Sequence, residues 1–237
     1  MHEGIPRGGP LVPEALARAN AALGNPRGAC AIEIYGAIEI AARGRVAVSD
    51  DRGGATTLGD GETIRVATEG KTRVRYVAVA GGIDVPEVLG GRGTMLAIGI
   101  GGYEGRVLRR GDRVSGSESG GGSASGGGSG SGSGSGSESV IEIEVVEGDW
   151  SGGTFTVGAA SDRMGTRLEG GTPVVSAAGA STPMVLGAIE LTPSGLIVLG
   201  PDHPTTGGYP VIAVVRSGSI GRLFSLPIGA RAELVAT

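Results

Sequence analysis

Cysteine is nearly missing. Cys30 stands alone in 237 residues, so no intrachain disulfide can staple the fold, and a reducing, cytoplasmic setting is expected. Aromatic residues make up only 3% of the chain, with one Trp and two Phe, so the core has to be built from Val, Ile, Leu and Ala. Basic charge is not in excess: the formal net charge is −4, which argues against a partner held by its phosphates. No apolar run approaches the roughly 18 residues that a membrane-spanning helix needs, and Met1–Pro10 has no signal-peptide core, so no membrane partner is expected. Two histidines, His2 and His203, and one cysteine cannot close a zinc site without carboxylates from elsewhere, and no metal is expected.

Glycine is what the chain has in abundance, at 49 residues. Residues 115–139 hold 11 Gly, 11 Ser, two Glu and one Ala, a composition with nothing to bury, and it reads as a flexible linker. Its regular Gly-Ser alternation over 130–137 fits an inserted linker or a natural low-complexity insertion equally well. Outside it, 38 glycines remain in 212 residues. That density would break a helical bundle but suits many short strands joined by tight turns. The chain therefore divides into an N-terminal β-rich half, 1–114, the linker, 115–139, and a C-terminal half, 140–237.

The first half opens with a helix. Pro13 suits the first helical position, Glu14 the positive end of the dipole, and Leu16, Ala19 and Leu23 recur at helical spacing until Gly24 and Pro26 stop it. Strands are predicted at Ala31–Ile34, Ile38–Ala41, Arg45–Val48, Thr63–Ala67, Val74–Ala80 and Met95–Ile100, with a helical turn at Val85–Leu89. The second half repeats the style at Val140–Val146, Thr154–Val157, Ala188–Leu191, Leu196–Leu199, Val211–Val215 and Ala232–Val235. Ile141-Glu-Ile-Glu-Val alternates as a strand with one wet face should. The pattern is that of a mainly β protein of two glycine-rich barrels or sandwiches with one or two short helices.

Familiar catalytic signatures are missing. Gly70-Lys71-Thr72 resembles the end of a phosphate-binding loop, but the earlier glycine that loop requires is Arg65, so the segment reads as a hairpin turn. Gly99-Ile-Gly-Gly-Tyr-Glu-Gly105 only approximates a dinucleotide fingerprint, because Glu104 stands where the third glycine belongs. No Met-Lys-Met biotinylation site is present, so the chain carries no biotin of its own. Three polar segments remain. Tyr103-Glu104-Gly-Arg106 crowds a phenol, a carboxylate and a guanidinium together; Ser161-Asp162-Arg163-Met-Gly-Thr-Arg167 sets two arginines and an aspartate at a turn; Thr205-Thr206-Gly207-Gly208-Tyr209-Pro210 offers hydroxyls, unhindered amides and a phenol. Arginine forks match carboxylates or phosphates, and glycine amides can cradle anions. The plainer alternative is three turns whose arginines pair locally.

The same segments carry a family pattern. Tyr76–Pro86, Gly101–Arg106, Ser161–Gly170 and Thr205–Pro210 occur in order, and together they resemble the allophanate hydrolase subunit 2 family. That family includes the C-type component of 5-oxoprolinase, the carboxyltransferase region of urea carboxylase, and an antagonist of a sporulation-kinase inhibitor. The resemblance implies cyclophilin-like β-barrels. It implies a partner of the allophanate hydrolase subunit 1 type, equivalent to the B-type component of 5-oxoprolinase, joined by an A-type component. It also implies ATP-driven opening of 5-oxoproline to glutamate, with ATP entering through the complex rather than through this chain. On that reading, Asp162, Arg163 and Tyr209 are the catalytic candidates. Arg167, Thr205, Thr206, Gly207, Gly208, Tyr103, Glu104 and Arg106 are the substrate-binding candidates. Arg163 or Arg167 would clamp the substrate carboxylate. A nest at Gly207-Gly208, with both threonines, would meet charge on the amide oxygen. Tyr209 or Asp162 would orient the substrate or relay a proton.

The chain also departs from the family pattern. The family's strand and loop ahead of Gly4-Ile5-Pro6 have no counterpart, its Asp before the first helix is Val12, and its Asp-x-Gln reads Asp202-His203-Pro204. The lysine that follows its Gly-Gly-Tyr-Pro is Val211, and the stretch between Val146 and Phe155 is short. Two alternatives to the 5-oxoprolinase reading follow: a non-catalytic, partner-binding or regulatory role, and a carboxyltransferase component acting on urea or a related amide.

Overall fold

The structure, a computed structural model, describes residues 4–6, 8–117, 139–146, 150–171 and 179–237. They gather into two compact units, one of residues 8–117 and one of residues 4–6 with the chain from 139 onward. Most of the glycine-serine tract, and the shortened stretch after Val146 in part, lie outside the described residues. The first three residues of the tract are bonded to the first unit: Gly116 bridges Ile83, the Asp84 amide donates to Ser115 O at 2.9 Å, and the Ser117 amide donates to Gly82 O at 2.8 Å.

In the first unit, helix α1 (Pro13–Ala21) begins at Pro13. Its N-cap, Val12, has no side-chain acceptor to offer; instead the Val12 amide donates to the buried Tyr76 hydroxyl at 3.0 Å. Tyr76 in turn donates to Glu33 Oε2 at 2.6 Å. Burial first, and the Glu33 carboxylate second, push this phenol well above its ordinary pKa, so it stays a donor. The helix buries Ala15, Ala17, Ala19 and Asn20.

The strands of this unit are β1 (Ile32–Ile34), β2 (Ala37–Ala41), β3 (Val46–Asp50), β4 (Ala55–Leu58), β5 (Thr63–Ala67) and β6 (Arg75–Val79). One antiparallel sheet runs β1-β6-β3-β4, and β2 pairs with β5 in a second. Ile32, Ile34, Val66, Val77, Ile83 and Val85 form the core that both sheets share. Arg75, 2% exposed, ties the sheets together. Its Nε meets Asp51 Oδ1 at 2.5 Å, Nη2 meets Asp50 Oδ2 at 2.8 Å, and Nη1 donates to the Ala67 carbonyl of β5 at 3.1 Å.

Two local expectations are corrected here. Met95–Ile100 is a turn rather than a strand: Met95 and Ile100 bridge each other, and the Gly99 amide returns to Met95 O at 3.0 Å. Val85–Leu89 has no helical turn, because Leu89 and Gly90 both take positive φ (53° and 79°) and close a tight turn bridging Val88 to Gly91.

The second unit contains β7 (Ser139–Val145), β8 (Gly152–Val157), β9 (Gly165–Glu169), β10 (Thr182–Pro183), β11 (Ala188–Thr192), β12 (Gly195–Leu199), β13 (Thr206–Gly207), β14 (Val211–Val215), helix α2 (Ser217–Ser225) and β15 (Arg231–Ala236). Seven strands close into a barrel in the order β11-β12-β9-β8-β15-β7-β14, while β10 and β13 pair separately. Ile141, Ile143, Leu168, Ile189, Val198, Ala213 and Leu234 are fully buried, and Glu142 and Glu144 are exposed on β7. The chain is thus mainly β with two short helices, as the pattern predicts. This is the one closed barrel among the described residues, for the first unit remains two sheets.

Candidate functional site

The second polar segment meets the turn just ahead of the third within the second unit. The loop before β9 folds on itself, with Asp162 Oδ1 accepting the amides of Met164 at 2.8 Å and Gly165 at 3.1 Å. Asp162 is exposed and spends that oxygen on its own turn. Arg163 grips Asp202 with a two-pronged pair, Nε to Oδ2 at 2.7 Å and Nη2 to Oδ1 at 3.0 Å. The Asp202 amide also donates to Arg163 O at 3.1 Å, and the Gly200 amide donates to Met164 O at 2.9 Å. A Cβ on Gly200 would strike the Arg163 carbonyl, so only glycine lets the two loops close together. Arg163 therefore braces the 200–204 turn.

That turn carries His203, 7% exposed, whose Nδ1 lies 2.6 Å from Pro204 O. A carbonyl can only accept, so Nδ1 holds the proton and Nε2 is left for chemistry. Thr205 follows, its carbonyl accepting the Met184 amide at 2.9 Å. Thr206 and Gly207 then form β13, paired with Pro183 and Thr182. Gly207 is accordingly a strand residue, so the expected nest of successive amides at Gly207-Gly208 is not the local geometry. Gly208 contributes its carbonyl, which accepts the Gly179 amide at 2.6 Å. Tyr209 is half-buried.

Arg167 lies on β9, and the register places it opposite Ile197 of β12, which lies opposite Glu190 of β11. Residues directly opposite in antiparallel pairs share a face, so Arg167, Ile197 and Glu190 form one row. The outer two stand two strand spacings, about 10 Å, apart. Arg167 has no side-chain ion pair among the described residues.

Glu190 is the residue that sequence reasoning missed. It is 9% exposed and has no side-chain hydrogen bond among the described residues. A β-bulge falls at Ile189/Glu190 in the pairing with β14. A Cβ on Gly207 would lie 2.7 Å from Glu190 Oε1 and 2.8 Å from Met184 Cε, so the carboxylate reaches the Thr-Thr-Gly-Gly backbone through the space that glycine leaves. Burial pushes the Glu190 carboxyl above its ordinary pKa, and His203 pulls it back by less. A carboxylate inside the otherwise apolar Ala188-Ile-Glu-Leu-Thr192 strand was the available signal.

The first polar segment lies in the other unit. Arg106 binds Asp112 with Nη1–Oδ2 at 2.6 Å and Nη2–Oδ1 at 3.1 Å, and Glu104 Oε2 with Nη2 at 2.8 Å. It also lies over the Tyr103 ring, 5.0 Å from its centroid. The Arg106 hydrogen bond holds the Asp112 carboxyl down to about 2. Gly105 has φ 67° and its missing Cβ would meet the Gly99 carbonyl, so the turn presenting this cluster requires glycine. Tyr103, Glu104 and Arg106 thus satisfy one another and Asp112.

Among the described residues no helix is long and apolar enough to cross a membrane, and no group of three metal-ligating side chains forms. The model of the family described as carboxyltransferase domain, subdomain A and B, matches residues 3–236. The C-type component of the 5-oxoprolinase of Escherichia coli K12 is 32% identical over 164 residues, which are 65% of this chain and 53% of that protein. The chain thus spans about half the length of that relative. Urea amidolyase of Lachancea kluyveri is 60% identical over 37 residues, 16% of this chain and 2% of its own. The crystal structure of TTHA0988 superposes with a TM-score of 0.84 at 26% identity, covering 100% of this chain and 51% of that one.

Proposed function

Because this chain belongs to the carboxyltransferase domain family of subdomains A and B, we propose that it is the C-type component of an ATP-dependent 5-oxoprolinase complex, opening 5-oxoproline to glutamate. Its partners on this reading are a B-type chain of the allophanate hydrolase subunit 1 type and an A-type chain. The observation that carries it is the Arg167–Ile197–Glu190 row. A cation and a buried carboxylate flank an apolar residue, a spacing suited to a small ring with a carboxylate at one end and an amide at the other. Arg167 holds the substrate carboxylate as a fork. Arg163, by gripping Asp202, holds the 200–204 turn and so positions His203 and Thr205. Thr205, Thr206 and Tyr209 border the amide end, and Asp162 keeps the loop before β9 in shape.

ATP finds no cradle in the Gly70–Thr72 segment. It is a turn between β5 and β6 with no helix behind it, and on this reading the nucleotide chemistry is carried by the partners. The deciding experiment is glutamate release from 5-oxoproline and ATP by the complex reconstituted with its cognate partner chains. Release that requires this chain is the expected result. A stable complex that releases none overturns the reading. The second reading, carboxyl transfer to urea or a related amide, is favoured by the 37-residue match to urea amidolyase. It predicts labelled carboxyl transfer from a carboxybiotin donor to urea in the same preparation.

A further inference from the structure

We propose that Glu190 is the proton-transfer residue of this site, acting first as general base and then as general acid on the amide bond that opens. The role rests on the lactam reading above. In the first step a water oxygen bonds to the amide carbonyl carbon while its proton passes to the Glu190 carboxylate. In the second, the ring carbon–nitrogen bond breaks and that proton passes to the departing nitrogen. One water is consumed, Glu190 ends as it began, and no electrons change hands.

Four independent features of the fold place it there. First, the residue is nine-tenths buried on a strand where Ala188, Ile189, Leu191 and Thr192 are buried too, yet it has no hydrogen-bond partner among the described residues. A carboxylate that is largely buried and unpaired among the described residues marks a candidate site, because perturbed groups concentrate where chemistry is done. Second, the bulge at Ile189/Glu190 interrupts the register with β14 at this very residue, and bulges re-aim side chains beside active sites. Third, Gly207 supplies the room for the carboxylate to lie against the Thr-Thr-Gly-Gly-Tyr-Pro strand, which any larger residue would fill. Fourth, Arg167 lies on the same face, so a substrate anchored by its carboxylate on Arg167 extends toward Glu190.

Ile197 of β12, Val211 of β14, Met184 and Gly207 face Glu190, and His203 is the titratable neighbour acting on it. His203 spends Nδ1 on Pro204 O, and its pull on the Glu190 carboxylate is smaller than the push of burial. Burial moves Glu190 toward the operating pH, the condition under which one group both accepts and returns a proton efficiently.

The test is the rate of glutamate release against pH for the reconstituted complex carrying wild type, Glu190→Gln and Glu190→Asp, with thermal unfolding of each free chain. Glu190→Gln keeps shape and hydrogen-bonding capacity and removes only proton exchange. It is expected to lower kcat by roughly 10²–10⁴-fold, change KM by less than about threefold, and abolish the acid limb of the wild-type profile. Glu190→Asp is expected to keep that limb at reduced kcat. Glu190→Gln retaining kcat within about threefold, or retaining the acid limb, overturns the role while leaving the substrate reading standing. A wild-type complex that releases no glutamate overturns both. Should Glu190→Gln fail to assemble, infrared titration of the free chains decides. A carboxyl band in wild type that titrates above the usual carboxylate range and is missing in the Gln variant supports the role; a band titrating in the usual range overturns it.

Discussion

Arg163 and Arg167 lie four residues apart in one motif and do different work. The first is spent on Asp202, so Arg163→Ala leaves a nearly buried aspartate without its cation. Up to about 3–5 kcal/mol of stability is expected to be lost, measured by chemical denaturation, and glutamate release falls because the 200–204 turn loosens. A double-mutant cycle with Asp202→Asn should show strong coupling between the pair. Arg167→Ala is expected to behave oppositely. Stability should stay within about 0.5 kcal/mol, while KM for 5-oxoproline rises on the order of 10²-fold. Arg167→Lys should recover little of it, since an ammonium cannot reproduce the fork.

Glu190 supplies a prediction in stability against pH. Its folded pKa is raised above the unfolded value, so its contribution is fully present below the unfolded pKa, about 4.3, and is lost as pH rises through the folded pKa. Wild type should therefore lose stability relative to Glu190→Gln between mildly acidic and neutral pH. Thermal midpoints of the two chains across that range check it, and a Gln variant less stable than wild type at neutral pH would show that the carboxylate is structurally paired. No residue-by-residue reading of the strand finds this. The sequence marks Glu190 only as a carboxylate in an otherwise apolar strand, and its environment is made by Gly207 and His203 from other segments of the chain.

At the scale of elements, local chemistry wrote some pieces plainly. Pro13 and Glu14 announce α1, and Thr63–Ala67 and Val211–Val215 are strands with the bounds their β-branched residues predict. Helix α2 was not legible, because Ser217-Gly-Ser-Ile-Gly-Arg-Leu-Phe-Ser225 has poor intrinsic helicity; it is helical since Leu223 and Phe224 become fully buried. Met95–Ile100 reads as a strand by composition, yet among the described residues no partner strand is offered to it and Gly99 turns it back. The sheets of the first unit also depend on one arginine that no pattern marks. Arg75→Ala is expected to cost about 3–5 kcal/mol, because it leaves Asp51 buried and uncompensated and releases the Ala67 carbonyl. Hydrogen exchange should show β5 and β6 losing protection together.

On the scale of the whole molecule, the second unit has what an independent fold needs. It has a closed barrel with no free barrel edge and a core of its own. A fragment of residues 139–237 is expected to unfold cooperatively by circular dichroism, and one ending at residue 229 is not. Removing β15 breaks the β7–β15–β8 succession and opens the barrel. Non-cooperative melting of the first fragment would show that the barrel depends on the rest of the chain.

The sequence by itself determined the class of this protein. Glycine density, β-branched runs, one cysteine and few aromatics leave a mainly β chain in two parts, and four motifs in order mark its family. Those properties are local, carried by composition and by residues close together in the chain. Tertiary structure alone decided which half closes into a barrel, that Arg163 is committed to Asp202, and that Arg167 and Glu190 share a face. Each of these depends on register between strands distant in sequence. A shift of one residue in that register would turn Glu190 to the opposite face and break the row it forms with Ile197 and Arg167.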